Sequence, residues 1–288
     1  MKAVFKREFM SYFNSMTGYV FSAFLICAVA VYFMAMNIFN GYPNFSYALC
    51  NSLFVLMIGI PVLTMRSMAE EKHNKTDQIL LTAPIGVWQI IGGKYLAMLA
   101  VFAVPIIVFC LFPLIIKLNG TAYLLSDYLS IFTFFLLGAV YIAIGLFISS
   151  LTDSQIISVV ITFLILLGLN LWNNLVAFMP DSSLGSFFGF MAIILLLSIS
   201  IYAITKNKFL SSATGCSLTC IEIILFVFLH DKFAGLLPAL LNYFTPTDCF
   251  YNVALYSALD VKGLLLYISL IGLFLFMTLQ SVEKRRWS

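Results

Sequence analysis

The chain has 288 residues, of which 62% are hydrophobic and 9% charged, with a formal net charge of +3 and a mean hydropathy of +1.06. This composition excludes a soluble globular domain and identifies an integral membrane protein. Repeated apolar runs of about 20 residues suit helices crossing a hydrocarbon layer of roughly 30 Å, whereas the short alternating segments of a β-barrel are absent.

The first stretch, MKAVFKREFMSYFNSMTGYV, is basic and then apolar like a signal peptide. No small-residue cleavage site follows, so it is expected to be retained. On a helical wheel Phe5, Phe9, Tyr12, Phe13 and Met16 share one face, with Arg7, Ser11 and Asn14 opposite. Residues 1 to 16 read as an amphipathic helix in the membrane interface, or else as a frayed basic tail.

Eight spans can be drawn: 17 to 39, 46 to 65, 95 to 116, 124 to 150, 155 to 178, 186 to 205, 213 to 230 and 261 to 281. An even number places both termini on one side. With the termini in the cytoplasm, twelve of the fifteen Lys and Arg residues fall inside, and only Lys117, Lys232 and Lys262 outside. Lys and Arg are retained on the cytoplasmic side during insertion, so this bias supports the drawing. No long polar linker divides the chain, which reads as one membrane domain spanning residues 1 to 288.

Between the second and third spans, residues 66 to 94 gather an unusual density of charge. Met65, Met68, Ala69, Thr76, Ile79, Leu80 and Ala83 follow helical spacing, and leave Glu70, Glu71, Asn74, Lys75, Asp77 and Gln78 on the other side. The helix is expected to break near Thr82, because the residue before a proline is pushed out of the helical region and Pro84 suits the first turn of a new helix. The restarted helix carries Trp88, Gly92, Gly93 and Lys94 where the third span begins. Two helices and a break would form a compact cytoplasmic knob, which is either a solvated loop or a docking surface.

Glu222 is the ionisable group placed deep within a span, in GCSLTCIEIILFVFLH. Intramembrane acids are costly and often functional. Glu222 is either a proton or substrate contact or the maker of a structural hydrogen bond. Residues 231 to 260 contain apolar pieces too short to cross, broken by Pro238 and Pro246, and are expected to form short extracellular or re-entrant helices. There Tyr243, Phe244, Phe250 and Tyr251 read as interface anchors or as part of an exit gate.

Catalytic chemistry finds few candidates. The two histidines, His73 and His230, sit outside the spans or at an end, and no H-E-x-x-H occurs. No G-x-x-x-x-G-K-[ST] loop occurs either, so ATP would have to be handled by another chain. Of the six cysteines, Cys216 and Cys220 share a helix face, but no nearby histidine completes a metal site.

The order RSMAEEKHNKTDQILLTAPIGVWQIIGGKY resembles the signature segment of type 2 ABC exporter permeases, through Glu70, Glu71, Thr76, Leu80, Leu81, Thr82, Pro84, Gly93 and Lys94. FKREFMSYFNSMTGYVF resembles that family's elbow helix, with Met16 where proline is frequent. LYISLIGLFLFMTLQSVEKRRW is similar to the last span of its gliding-motility branch. The resemblance implies an all-α polytopic bundle in the inner membrane with an elbow helix (Phe5, Phe9, Tyr12, Phe13) and a coupling helix. It also implies that residues 183 to 230 are an extra helix pair.

It further implies that Glu70, Glu71, Lys72, Lys75, Thr76, Asp77, Ile79 and Leu80 dock an ATP-binding subunit, present in two copies, with Thr82, Pro84, Gly93 and Lys94 returning the chain to the membrane. Reversing the charge at Glu71 is then expected to weaken docking. ATP and Mg would reside in that partner, and a second permease copy or a related permease would complete the complex. The implied activity is export of a hydrophobic or amphipathic substrate. The alternative is a noncatalytic anchor for a motility or secretion apparatus that uses the same ATPase.

Overall fold

Long apolar runs with few breakers wind into helices because a backbone in hydrocarbon must satisfy its own hydrogen bonds. The computed structural model describes residues 1 to 75, 86 to 178, 182 to 205, 208 to 228, 235 to 242, 245 to 257 and 260 to 287. Among them no strand occurs. The elements are α1 (Lys2–Asn14), α2 (Thr17–Phe33, continued as a π-helix, Met34–Phe39), α3 (Ser46–Asn51), α4 (Leu53–His73), α5 (Val87–Phe109), α6 (Phe112–Asn119) and α7 (Leu124–Leu151). They continue as α8 (Gln155–Asn170), α9 (Trp172–Ala177), α10 (Ser183–Thr205), α11 (Lys208–Phe228), α12 (Leu236–Asn242), α13 (Pro246–Tyr256) and α14 (Val261–Trp287).

The chain divides into two units, one of Met1–Leu169 with Pro246–Ser288 and one of Asn170–Thr245. The first is organised around α7, which packs against α4, α5, α13 and α14. Small residues on α7 make this possible, since helices in lipid gain from close approach. A Cβ on Gly145 would lie 2.4 Å from Thr64 Oγ1, and one on Gly138 would lie 2.3 Å from Phe102 Cε1. Hydroxyls inside the bundle turn back on their own helices: Ser130 donates to Ser126 O at 2.8 Å and Thr133 to Leu129 O at 3.1 Å. One end of the unit is filled by rings, with Phe112 4.7 Å from Phe33 and 5.3 Å from Phe45. The second unit contains α9 to α12. There α10 packs along α11, and Trp172 Nε1 donates to Leu241 O at 3.0 Å. The helices expected as an inserted pair are α10 and α11, both in this unit.

Five described segments are long and apolar enough to cross a membrane: Thr17–Phe39, Leu53–His73, Val87–Asn119, Leu124–Leu151 and Val261–Lys284. Helices α10 and α11 have 23 and 21 residues. Several expected boundaries are corrected. The second span is not one helix from 46, because α3 ends at Asn51 and α4 begins at Leu53. The region drawn as 155 to 178 divides at Leu171 into α8 and α9.

The knob is corrected where its residues are described. The described part of its first helix is the end of α4 and that of its second the beginning of α5, because a hydropathy boundary contains nothing that stops helix propagation. Helix α4 ends at His73 rather than near Thr82, and Lys75 adopts a left-handed φ of 57° that an α-helix cannot continue through. Residues 76 to 85, and with them Thr76, Asp77, Ile79, Leu80, Thr82 and Pro84, lie outside the described residues.

The elbow ends at Asn14, and the chain turns into α2 at Met16, whose φ is 59°. Proline, with φ held near −65°, is incompatible with this turn. Met16→Gly should therefore be neutral or stabilise the protein by about 1 kcal/mol, whereas Met16→Pro should destabilise it. Thermal unfolding of the purified detergent-solubilised variants checks the ordering.

Candidate functional site

Buried charge in a membrane protein is expensive unless it is paired and fully hydrogen-bonded, so a cluster that achieves this marks where helices are held in a specific arrangement. Such a cluster joins α1, the end of α4 and the start of α5. Lys94 lies in the second turn of α5 and is 1% exposed. Its ammonium has three hydrogens and meets three acceptors: Ser67 O at 2.6 Å, Glu71 Oε1 at 2.8 Å and Glu8 Oε1 at 3.4 Å. Arg7 Nη2 reaches the same two carboxylate oxygens, Glu8 Oε1 at 2.5 Å and Glu71 Oε1 at 3.0 Å. The four charges cancel. Burial lowers the Arg7 pKa, but the hydrogen bonds and charges of Glu8 and Glu71 outweigh it and raise the value above the ordinary one.

The local sequence explains this geometry. Val4, Glu8 and Tyr12 recur at four-residue spacing and form the stripe of α1 that faces the protein. Gly92 and Gly93 let α1 approach α5: a Cβ on Gly93 would lie 3.0 Å from Val4 Cγ1, and one on Gly92 would lie 3.0 Å from Met1 Cε. Gly93 thus lies inside a helix at a close approach. Tyr12 is buried and donates to Leu63 O at 3.1 Å, fixing α1 to α4. The phenylalanines expected on the apolar face form a half-buried row, with ring centroids 6.0 Å apart for Phe5 and Phe9 and 5.0 Å for Phe9 and Phe13. Tyr12, expected on the apolar face, is buried; the wheel omitted Val4, the other buried residue of α1, and Met16 is exposed.

Further pairs extend the cluster. Arg66 binds Glu70 through two nitrogens, at 2.7 and 3.2 Å, and reaches Thr17 Oγ1 at 3.4 Å. Lys72 donates to Ser150 O and lies 3.6 Å from Asp153, which ties α4 to the turn after α7. Ser149 Oγ accepts from the N–H groups of Met68 and Ala69 at 3.1 and 3.0 Å. Between α1 and α4 opens a polar cleft of about 260 Å³, lined by Arg7, Glu8, Tyr12, Arg66, Glu70 and Asn74 among others.

The expected docking residues are thus distributed. Glu70, Glu71 and Lys72 make contacts within the chain, and Lys75 is exposed. Glu222 is buried in α11, and its Oε1 has no hydrogen-bond partner among the described residues. Phe250 is a core residue with its ring 5.7 Å from Phe134. Tyr251 is half-buried, and Tyr243 and Phe244 lie outside the described residues.

Glu8, Ser67, Ser149 and Asp153 were not singled out by sequence. Glu8 left a signal, as a charge on the four-residue stripe of Val4 and Tyr12. Among the described residues no group of three or more His, Cys, Asp or Glu side chains is arranged to hold a metal.

Comparison with known proteins gives one family. The model described as "ABC-2 family transporter protein" matches residues 8–277. No curated protein matches the chain.

Proposed function

The chain belongs to the ABC-2 transporter family and is a multi-pass permease subunit of an ABC transporter, the partner of an ABC ATP-binding subunit, and from that premise we propose how it is driven. Two ATP-binding subunits dock on the segment that links α4 to α5, through Asp77, Lys75 and their neighbours. ATP and Mg stay in those subunits, and the permease supplies no catalytic group. Two permease copies, or this chain and a related one, enclose the path of a hydrophobic or amphipathic substrate that is exported from the cytoplasm. Both termini and the ion cluster face the cytoplasm of a cell with an inner membrane.

The observation that carries this reading is the ion cluster itself. Both ends of the linking segment emerge from helices that the cluster clamps to α1, so a displacement of the segment moves α4, α5 and the elbow together. Coupling of this kind needs contacts that differ between two states, and charge pairs able to exchange partners provide them.

Two charge reversals separate docking from scaffold integrity. Asp77→Lys should weaken binding of the ATP-binding subunit about tenfold and lower stimulated ATPase activity, with the thermal stability of the permease unchanged. Glu71→Lys should lower that stability as well, because it places a third cation beside Lys94 and Arg7. Unchanged assembly and ATPase activity in Asp77→Lys would overturn the docking assignment.

A further inference from the structure

Opposite faces of α1 meet different surroundings. Arg7 and Ser11 line the polar cleft together with Glu70 and Asn74 at the end of α4, which marks the aqueous side of the helix. Each helical residue turns by about 100°, so Arg7 and Ser11 lie about 160° from Phe9. The half-buried row of Phe5, Phe9 and Phe13 therefore faces the hydrocarbon side. Tyr19 continues that row: its ring is 5.0 Å from that of Phe13, and it is 61% exposed in the first turn of the span Thr17–Phe39. An exposed tyrosine at the start of a span sits at headgroup depth, and this sets the depth of α1.

Lys2 and Lys6 do not share the aqueous side with Arg7. They are one turn apart and fall within about 60° of Phe9 and Phe13 around the helix. Both are exposed, and neither forms an ion pair among the described residues. Glu8 is the sole acid of α1, and it is engaged by Lys94 and Arg7. Lysines beside an aromatic row at this depth lay their stems along the rings and raise their ammonium groups into the headgroup layer. The anion that lipid offers there is phosphate. Two unpaired ammonium groups leave positive charge that a zwitterionic headgroup, which brings its own cation, does not neutralise.

We propose that Lys2 and Lys6 bind the phosphate of an anionic phospholipid, of the glycerol-headgroup type, in the leaflet at the ion cluster's end, with an acyl chain along Phe5, Phe9 and Phe13. A choline headgroup presents its trimethylammonium to the same lysines and is disfavoured. Glu8, on the same helix, holds Lys94 and Arg7, so the lipid is tied to the clamp on α4 and α5. The site needs no ATP-binding subunit, and its test is therefore separate from that of subunit docking.

The test uses the full chain in phosphatidylcholine nanodiscs with trace phosphatidylglycerol or phosphatidylcholine bearing a diazirine in the acyl chain. Labelled positions are mapped by peptide mass spectrometry. The glycerol probe should label Phe5 to Phe13 about tenfold more than the choline probe, the weight of two lysines at an anionic headgroup. Lys2→Gln combined with Lys6→Gln should bring the ratio of the two probes close to one. Lys2→Arg combined with Lys6→Arg should keep the preference, which separates the charge from any change in α1 itself. Lys262→Gln, at an exposed position in the first turn of α14, should leave it unchanged. Added sodium chloride should weaken the preference, because both lysines are exposed to screening. Equal labelling by the two probes in the unaltered chain, or a preference that survives in the glutamine pair, would overturn the proposal. So would inorganic phosphate that abolishes the preference more effectively than sodium chloride at equal ionic strength, since the ligand would then be a free anion.

Discussion

Lys94→Met will be among the most destabilising single substitutions in the chain, with an expected loss of about 3–5 kcal/mol. Removing the ammonium leaves Glu8 and Glu71, 12% and 19% exposed in their side chains, as two carboxylates against the single shared cation of Arg7. Ser67 O loses its 2.6 Å donor as well. Arg7 is about half exposed and cannot follow the carboxylates inward without desolvating its own charge. The penalty is therefore that of one uncompensated, largely buried negative charge rather than lost packing, since methionine matches most of the lysine stem. Adding Glu8→Gln and Glu71→Gln to Lys94→Met should recover most of the loss. By contrast Lys72→Met should cost about 1 kcal/mol or less from its ion pair, whose Asp153 partner is 78% exposed. Denaturation of detergent-solubilised protein followed by circular dichroism gives the ordering, and a triple variant no more stable than Lys94→Met would refute the charge argument.

Gly138→Ala should be the second large effect, with a net destabilisation of about 1–3 kcal/mol. On helix propensity alone the change would be favourable by about 1 kcal/mol, so a net loss isolates the steric term. The new Cβ would lie 2.3 Å from Phe102 Cε1 and 2.5 Å from its Cζ. Phe102 is fully buried, with its ring stacked 5.7 Å from that of Phe135, and has no free direction in which to move. Phe102→Leu removes the overlapping ring atoms, so the double variant should be more stable than additivity of the two single changes allows. A double-mutant cycle on apparent Tm checks this, and strict additivity would mean that the two side chains do not collide.

Residues 66 to 94 show how far sequence reasoning reaches. The charge density and the glycine-lysine pair were legible as a special segment, because charges are conspicuous in a chain of this composition. Their partners were not. Glu71 finds Lys94 and Arg7 across sequence separations that no local periodicity reports, and a wheel drawn for one helix assigns each charge to solvent by default. The same limit explains Phe250. An aromatic residue in a short segment at the membrane boundary looks like an interface anchor, and only its contact with Phe134 makes it core. Met16 is a third instance: its side chain reports nothing of the left-handed backbone that turns the elbow into α2.

Composition, apolar run length and the absence of alternating segments determined by themselves that this is an all-helical polytopic membrane protein. Those properties follow from the solvent: hydrocarbon demands internally bonded backbone and about 20 apolar residues per crossing. The motif in residues 66 to 94 also carried the family. The tertiary structure decided where helices stop, which charges are buried, and which glycines serve close approach. Helix ends depend on backbone angles at Met16 and Lys75 that their side chains do not encode. The neutrality of the Lys94 cluster depends on three helices arriving at one point, and hydropathy, being a property of single segments, contains no information about which segments meet.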